Sequence, residues 1–444
     1  MSDTARQRLA YLFDNGEFTE LGAMTKAGDD LSGVITAYGY VEGNPVYAFS
    51  QDVSVNSGAL NKTHAAKIAR VYDLASRTGV PVVGIYDSCG ADVNDGFGAM
   101  DAYGELLMWA SNLSGVVPQI SVVAGVCAGC SAMMAACADF VVASNDAEIF
   151  VTPNSKVSNL AANAAKNGIV SAIADNDEDA VKLAKDILTK LPQNNLSPVP
   201  MYEYEQSAES FGANVPEQAA AICDAGSLTE LYAQYGDAAY TALGTIGGST
   251  VGICGTDTKD AKLTADDCSK LARFVRTCDA FAIPVITLVN TEGFDTSDDT
   301  EISGAVKNMA KLAHAYAEAT TIKLSVVTGK AYGAAYIALA GKNANADMTF
   351  ALPKAVISPV APLTAVEVLN HDALKGAENT EATRLALATE YSIGKASAKN
   401  AAEYGSIEAV VEPADLRTTL IGALDIMAGK RISRLPKKHS NIPM

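Results

Sequence analysis

The sequence predicts an α/β protein made of two tandem homologous halves, about 1–200 and 215–444. Two observations predict this. The first is an internal repeat: short motifs return about 205 residues later along the chain. Lys67-Ile68-Ala69-Arg70 returns as Lys270-Leu271-Ala272-Arg273, and Ser121-Val122-Val123-Ala124-Gly125 as Ser325-Val326-Val327-Thr328-Gly329. Asp14–Leu21 echoes in Asp224–Leu231, and Thr36–Gly39 in Thr241–Gly244. The second observation is that strand-like and helix-like patterns alternate within each half, as βαβ layering requires. Three prolines within Leu191–Pro200 break any helix there and mark the joint.

Each half opens with a β-meander, Gly33–Val41 and Val46–Ser50 around a Gly43-Asn44 turn. A helix is expected from about Asn61 to Thr78, where apolar residues keep helical spacing. A buried strand, Pro81–Tyr86, follows and ends in a glycine-containing turn. A second helix is expected over about Asp101–Leu113, then a second buried strand, Ile120–Ala124, and a second small-residue turn. Leu106–Ala138 carries no charge and is long enough to cross a bilayer. Pro118, Gly125 and Gly129 interrupt it, so strand, turn and buried helix is the better reading. In the second half a helical run covers Asn308–Ala319.

Composition narrows the function. The chain of 444 residues is 49% hydrophobic and 19% charged, with a net charge of −18. No basic stripe suits nucleic acid, so none is expected as a partner. Cys127, Cys130 and Cys137 lie in a small apolar run, which suggests buried thiols in a reducing compartment. With no signal-peptide pattern behind Met1, the expected location is cytoplasmic. Cys127 and Cys130 have C-x-x-C spacing without a second pair, and His64, His314, His371 and His439 are scattered. No metal site is expected.

The chemistry-bearing candidates are four turns at strand ends. They are Asp87-Ser88-Cys89-Gly90-Ala91 and Gly125–Ala132 in the first half, and Asn290–Phe294 and Gly329–Tyr336 in the second. Small residues there serve close packing, but they also let backbone approach a ligand. Amides at a helix start lack intrahelical partners and can stabilise an oxyanion such as a thioester enolate. No G-x-S-x-G elbow or Walker loop occurs, which favours chemistry run by backbone amides.

These motifs, in this order, resemble the carboxyltransferase subunit of biotin-dependent acyl-CoA carboxylases and decarboxylases, of the propionyl-CoA carboxylase β and methylmalonyl-CoA decarboxylase α type. Ala5-Arg6-Gln7-Arg8-Leu9, Phe13–Leu21, Gly115–Ser121, Arg273–Phe281, Lys330-Ala331-Tyr332-Gly333 and Pro436–Pro443 carry the resemblance. It implies two crotonase-like domains per chain, each a ββα superhelix of the ClpP/crotonase kind. It implies that carboxyl passes between biotin and the carbon α to a short acyl-CoA thioester. Gly129 and Cys130 match one oxyanion hole, and Gly333, Ala334 and Ala335 the other. Gly90, Ala91, Ala128, Gly293, Phe294 and Tyr332 fall at substrate-binding positions. Biotin would arrive on a separate biotin carboxyl carrier protein, since no Ala-Met-Lys-Met sequence occurs here. A biotin carboxylase or a membrane decarboxylase subunit would complete the complex. Sites shared between the first half of one protomer and the second half of another imply a homo-oligomer, dimer-based and up to a hexamer.

The chain departs from the family pattern at several turns. Ser88-Cys89-Gly90-Ala91-Asp92 replaces Ser-Gly-Gly-Ala-Arg, Cys130 and Ala334 replace glycines, and Gly329 stands where arginine is usual. A backbone donor survives such changes if φ is compatible. The departures leave two other readings. One is a biotin-independent crotonase-type hydratase or decarboxylase using Asp92 or Asp95. The other is a non-catalytic scaffolding member of such a complex.

Overall fold

The computed structural model describes residues 4–153, 156–256, 262–302, 304–432 and 435–443. The chain forms two compact units, one of residues up to Pro200 with Leu231–Tyr235, the other Met201–Glu230 with Gly236 onward. The first unit runs α1 (Thr4–Leu12), β1 (Phe18–Leu21), β2 (Val34–Val41), β3 (Asn44–Gln51), α2 (Lys62–Thr78), β4 (Val82–Ser88), α3 (Phe97–Leu113) and β5 (Gln119–Ala128). It continues with α4 (Cys130–Ala135), β6 (Phe140–Ser144), β7 (Glu148–Phe150), α5 (Ala161–Lys166), β8 (Ala172–Ala174) and α6 (Asp177–Thr189). The second unit runs α7 (Val215–Ile222), β9 (Thr229–Glu230), β10 (Ala239–Ile246), β11 (Ser249–Thr256), α8 (Ala265–Ala280), β12 (Val285–Thr291), α9 (Asp298–Ile302), α10 (Ala305–Glu318) and β13 (Lys323–Tyr332). Then come α11 (Gly333–Leu339), β14 (Met348–Ala351), β15 (Val356–Ser358), α12 (Pro362–Leu369), α13 (His371–Lys375), α14 (Thr380–Gly394), α15 (Ala398–Glu403), β16 (Ala409–Val410) and α16 (Leu416–Met427).

Each unit holds one eight-stranded sheet, and these two sheets share a topology; the first unit adds a two-stranded ribbon, Lys26–Ala27 with Asp30–Leu31. The order β1-β2-β3-β4-β5-β6-β8 is repeated as β9-β10-β11-β12-β13-β14-β16. In both, the first three strands are antiparallel and the rest parallel. The parallel strands are buried on both faces, as continuous runs such as Val82–Tyr86 require. Helix α2 starts where Asn61 accepts the His64 amide at 2.9 Å and stops at Gly79, whose φ of 66° suits a left-handed C-cap. Its buried face, including Ile68, Val71 and Tyr72, joins Phe49 and Tyr86 in the core.

The central strands differ from the sequence expectation in one instructive way. The strand expected to end at Ala124 runs on to Ala128. Tyr86 pairs with Val123 and Ser88 with Cys127, so Asp87 alone faces Ala124, Gly125 and Val126. This is a bulge of β5. Before it β5 pairs with β6; after it Val126–Ala128 pair with β7 instead. The second unit repeats the device: Val289 pairs with Val327 and Thr291 with Ala331, and Lys330–Tyr332 pair with β15. The exchange of partner at the bulge keeps residues expected as a turn inside a strand. Helix α3 also begins at Phe97, four residues before expectation. The charge-free run Leu106–Ala138 divides among α3, β5 and α4, and no helix among the described residues is long and apolar enough to cross a membrane.

Candidate active site

The first turn of each unit is tied down by matching bonds. In unit one the Ser88 hydroxyl accepts the Gly90 amide at 3.1 Å, and the Gly90 carbonyl accepts the Leu60 amide at 2.8 Å. The Asp92 amide returns to the Leu60 carbonyl at 2.9 Å. In unit two Thr291 accepts the Gly293 amide at 3.2 Å, Leu263 donates to Gly293 at 3.0 Å, and Asp295 donates to Leu263 at 2.8 Å. Gly90 and Gly293 have φ of 109° and 124°, which only glycine adopts without strain. A Cβ on Gly90 would stand 3.1 Å from the Ala128 carbonyl oxygen, so the first turn lies directly on the end of β5. Ala91 is half-buried beside it, while Phe294 and Tyr332 are buried.

The second turn of each unit is a left-handed glycine followed by a helix. Gly129 has φ 60° and Gly333 φ 52°. The Gly129 amide donates to the Phe150 carbonyl at 2.9 Å, so β7 already claims it. That leaves Cys130, the first residue of α4, to offer an amide with no intrahelical acceptor. Gly333 opens α11, and Ala334 follows within its first turn, in the same amide-unpaired zone. Ala335 is fully buried. A Cβ on Gly333 would lie 2.9 Å from the Pro359 carbonyl oxygen, whereas at Gly129 the nearest such atom, from Val151, is 3.8 Å away. Gly333 and Ala334 line a cavity of about 840 Å³, together with Ile357, Ser358, Lys395 and Tyr404. That volume is within the usual range for a small-molecule site of about 300–1,000 Å³.

Below the turns lies a side chain whose supporting role sequence reasoning missed. The Asp87 carboxylate accepts the Val126 amide at 3.3 Å and fills the place a Gly125 side chain would take, 2.4 Å from that Cβ position. In unit two Asn290 does the same for the Lys330 amide, at 2.9 Å, and for Gly329, at 2.3 Å. Gly329 therefore has no room for the arginine usual in the family while Asn290 keeps this place. The signal was available: Asp87 with Gly125, and Asn290 with Gly329, are matched positions of the repeat. The cavity residues Lys395 and Tyr404 were also missed: Lys395 follows α12–α14, which have no counterpart among the described residues of the first unit, and Tyr404 follows α15, which repeats α5.

One expectation needs correction. Of the three clustered cysteines only Cys127 is buried; Cys130 and Cys137 are exposed, since both lie at the surface ends of the short α4 segment. Burial pushes the Cys127 thiol far above its usual range, so it stays protonated and inert. The carboxylates considered for biotin-free chemistry each accept one backbone amide. Asp92 accepts the Asn94 amide at 2.9 Å, and Asp95 accepts the Lys62 amide at the start of α2 at 2.7 Å. Beside α4, the Tyr103 hydroxyl bonds Ser131 at 2.6 Å, and burial raises its pKa well above the ordinary phenol value.

Comparison with known proteins agrees with this architecture. The chain matches the carboxyl transferase domain over residues 2–442. It is 33% identical to the methylmalonyl-CoA decarboxylase subunit alpha of Veillonella parvula, over 99% of this chain and 93% of the relative. It is 34% identical to the propionyl-CoA carboxylase beta chain of Saccharopolyspora erythraea, over 99% and 90%. The crystal structure of transcarboxylase 12S, a hexamer solved with methylmalonyl-coenzyme A and methylmalonic acid bound, superposes with a TM-score of 0.94 at 32% identity, covering 99% of this chain and 92% of that one. The fold is thus the crotonase-like α/β fold of carboxyltransferases, with one eight-stranded sheet in each unit. The chain belongs to the carboxyl transferase domain family.

Proposed function

We propose that this chain is the carboxyltransferase subunit of a biotin-dependent acyl-CoA carboxylase or decarboxylase, with residues 1–200 and 215–444 as its N-terminal and C-terminal carboxyltransferase domains. The observation that carries the proposal is the duplicated turn: a left-handed glycine, Gly129 or Gly333, followed by a helix start whose amides have no intrahelical acceptor. The Cys130 amide holds the thioester oxygen of a short acyl-CoA as the α-carbon gives up or takes on carboxylate. Charge then develops on that oxygen, where one preorganised donor is worth about 3 kcal/mol. Gly129 supplies the backbone angle, and its own amide fastens the turn to β7. Gly90 and Ala128 hold the two turns at close approach, and Ala91 borders the acyl-CoA side.

In the second unit the Ala334 amide, with Gly333 beside it, suits the ureido oxygen of biotin, and the cavity volume fits a bicyclic urea. When bound, biotin supplies a nitrogen that carries the carboxyl group. Ala335 packs α11 against the core, while Gly293, Phe294 and Tyr332 shape the neighbouring surface. No side-chain base is required of the chain; its work is positioning and charge stabilisation. A biotin carboxyl carrier protein and a biotin carboxylase or membrane decarboxylase subunit are the proposed partners. A dimer-based homo-oligomer, a hexamer at its fullest, and a cytoplasmic location complete the proposal.

The test is decarboxylation of methylmalonyl-CoA or malonyl-CoA by the purified chain, with and without free biotin. Turnover that requires biotin is expected. Turnover without biotin, or none with biotin or a biotinylated carrier, would overturn the reading. Rates across acetyl-, propionyl-, butyryl- and glutaconyl-CoA then identify the acyl group.

A further inference from the structure

We propose that Arg8 is a positioning residue for the first unit's turns: acting through Asp87, it locks the bulge of β5 and so fixes where the Cys130 amide sits. The catalytic part of this inference rests on the proposed role of Cys130; the positioning part does not.

Arg8, on α1, is 5% exposed, and all three of its guanidinium nitrogens are engaged. Nε reaches Asp177 at 2.7 Å, Nη1 reaches Asp87 at 2.9 Å, and Nη2 reaches the Ala124 carbonyl at 2.9 Å and Asp177 at 2.6 Å. Asp87 passes the constraint on by accepting the Val126 amide. The bulge is therefore gripped at both ends, Ala124 by Arg8 directly and Val126 by Asp87. Gly125 lies between them with no room for a side chain. Immediately downstream come Cys127, Ala128, Gly129 and Cys130, and immediately after Asp87 come Ser88, Cys89 and Gly90. One buried ion pair thus sets the exit of both strands that carry the turns.

The second unit builds the same bulge without charge. Asn290 replaces Asp87, and Gln218, at the position of α7 that repeats Arg8, turns to the Gly212 and Ala213 carbonyls at 3.4 Å. A neutral amide is thus sufficient for the bulge when no guanidinium faces it. Removing Arg8 leaves the Asp87 charge buried and uncompensated, whereas removing Asp87 leaves Arg8 paired with Asp177, and removing both leaves neither charge under the bulge.

The experiment uses the full chain as Arg8→Gln, Asp87→Asn and the double variant. Iodoacetamide labelling is followed residue by residue by mass spectrometry. Cys89 and Cys130 are exposed on the two turns; exposed Cys137 and buried Cys127 report on general loosening. Arg8→Gln is expected to change the labelling rates of Cys89 and Cys130 at least about threefold with Cys137 unchanged, and the double variant to return them toward wild type. In the biotin-dependent decarboxylation assay, kcat of Arg8→Gln is expected to fall about 100-fold, as for a displacement near 1 Å, with KM little changed. Unchanged labelling at both turn cysteines, equal change at Cys137 and Cys127, or a double variant no better than Arg8→Gln would overturn the proposal. Shifted labelling in a chain whose wild type lacks biotin-dependent turnover would uphold the positioning role and reject the catalytic reading of Cys130 instead.

Discussion

The two units present the same turns over different supports. In the first, charge lies below the turns: Arg8 and Asp87 are buried under the bulge, and the positions above it, Cys89 and Val126, are neutral. In the second, the support is neutral Asn290, and charge lies on top, where Lys330 meets Glu292 at 2.7 Å. The hairpin ends are inverted likewise. Asp14 caps the β2–β3 hairpin and meets Lys185 at 3.0 Å in a half-exposed pair, while Asp224 caps the β10–β11 hairpin and meets Arg417 at 2.6 Å in a buried one. What survives in both is backbone: the left-handed glycine, the bulge, and the hook onto β7 or β15. Side chains are interchangeable there and main-chain geometry is not, as expected if peptide amides do the chemistry.

Four tests probe this difference between the units. The largest effect on turnover is expected from Gly333→Ala against Gly129→Ala. Both meet a positive φ, worth about 1–2 kcal/mol, but only at Gly333 would the new methyl collide with a carbonyl, 2.9 Å away. Gly333→Ala should lower the thermal midpoint more than Gly129→Ala and reduce turnover about 100-fold; equal midpoints would remove the asymmetry. Next, Arg417→Met strands Asp224, only 4% exposed, and should cost about 3–5 kcal/mol in urea unfolding. Lys185→Met, at the half-exposed pair, should cost below about 1 kcal/mol.

Acid provides a third, smaller handle. Burial, then the nearby Lys67 charge, push the His64 imidazole down from its ordinary value to about 3. Its place at the start of α2 is taken by Asp267 in α8. Below about pH 6.5 the unfolded chain binds a proton that the folded chain refuses, so stability falls with falling pH, by about 1.4 kcal/mol per unit down to the folded value. Unfolding curves between pH 7 and 5 should show this slope, and His64→Gln should flatten it. The smallest effect is expected from Glu292→Gln, below about 1 kcal/mol, because its pair with Lys330 is partly exposed.

Much of the fold was legible because its signals are local. The meander, the start of α2 near Asn61 and the buried strand after Pro81 follow from alternation and period within a few residues. The repeat extended that reading to the second sheet. Helix α3 was read short because Gly96 and Gly98 have poor helix propensity; in the fold Asp95, bonded to Lys62, holds the chain where the helix begins. The bulges were not legible, since they depend on Asp87 and Asn290 meeting glycines of a neighbouring strand, and on Arg8 far away in sequence. The turn glycines were found by composition, but which amide is already bonded could only be seen once Phe150 was placed.

In the proposed reaction the Cys130 peptide N–H, rather than its thiol, steadies the charge. Proline suits the first position of a helix and removes that N–H alone. Biotin-dependent turnover should therefore be compared in Cys130→Ala and Cys130→Pro, with thermal midpoints measured alongside. Near wild-type kcat is expected for Cys130→Ala, and a loss of about 100- to 1,000-fold for Cys130→Pro at an unchanged midpoint. Equal losses in both variants, or full activity in Cys130→Pro, would contradict that role.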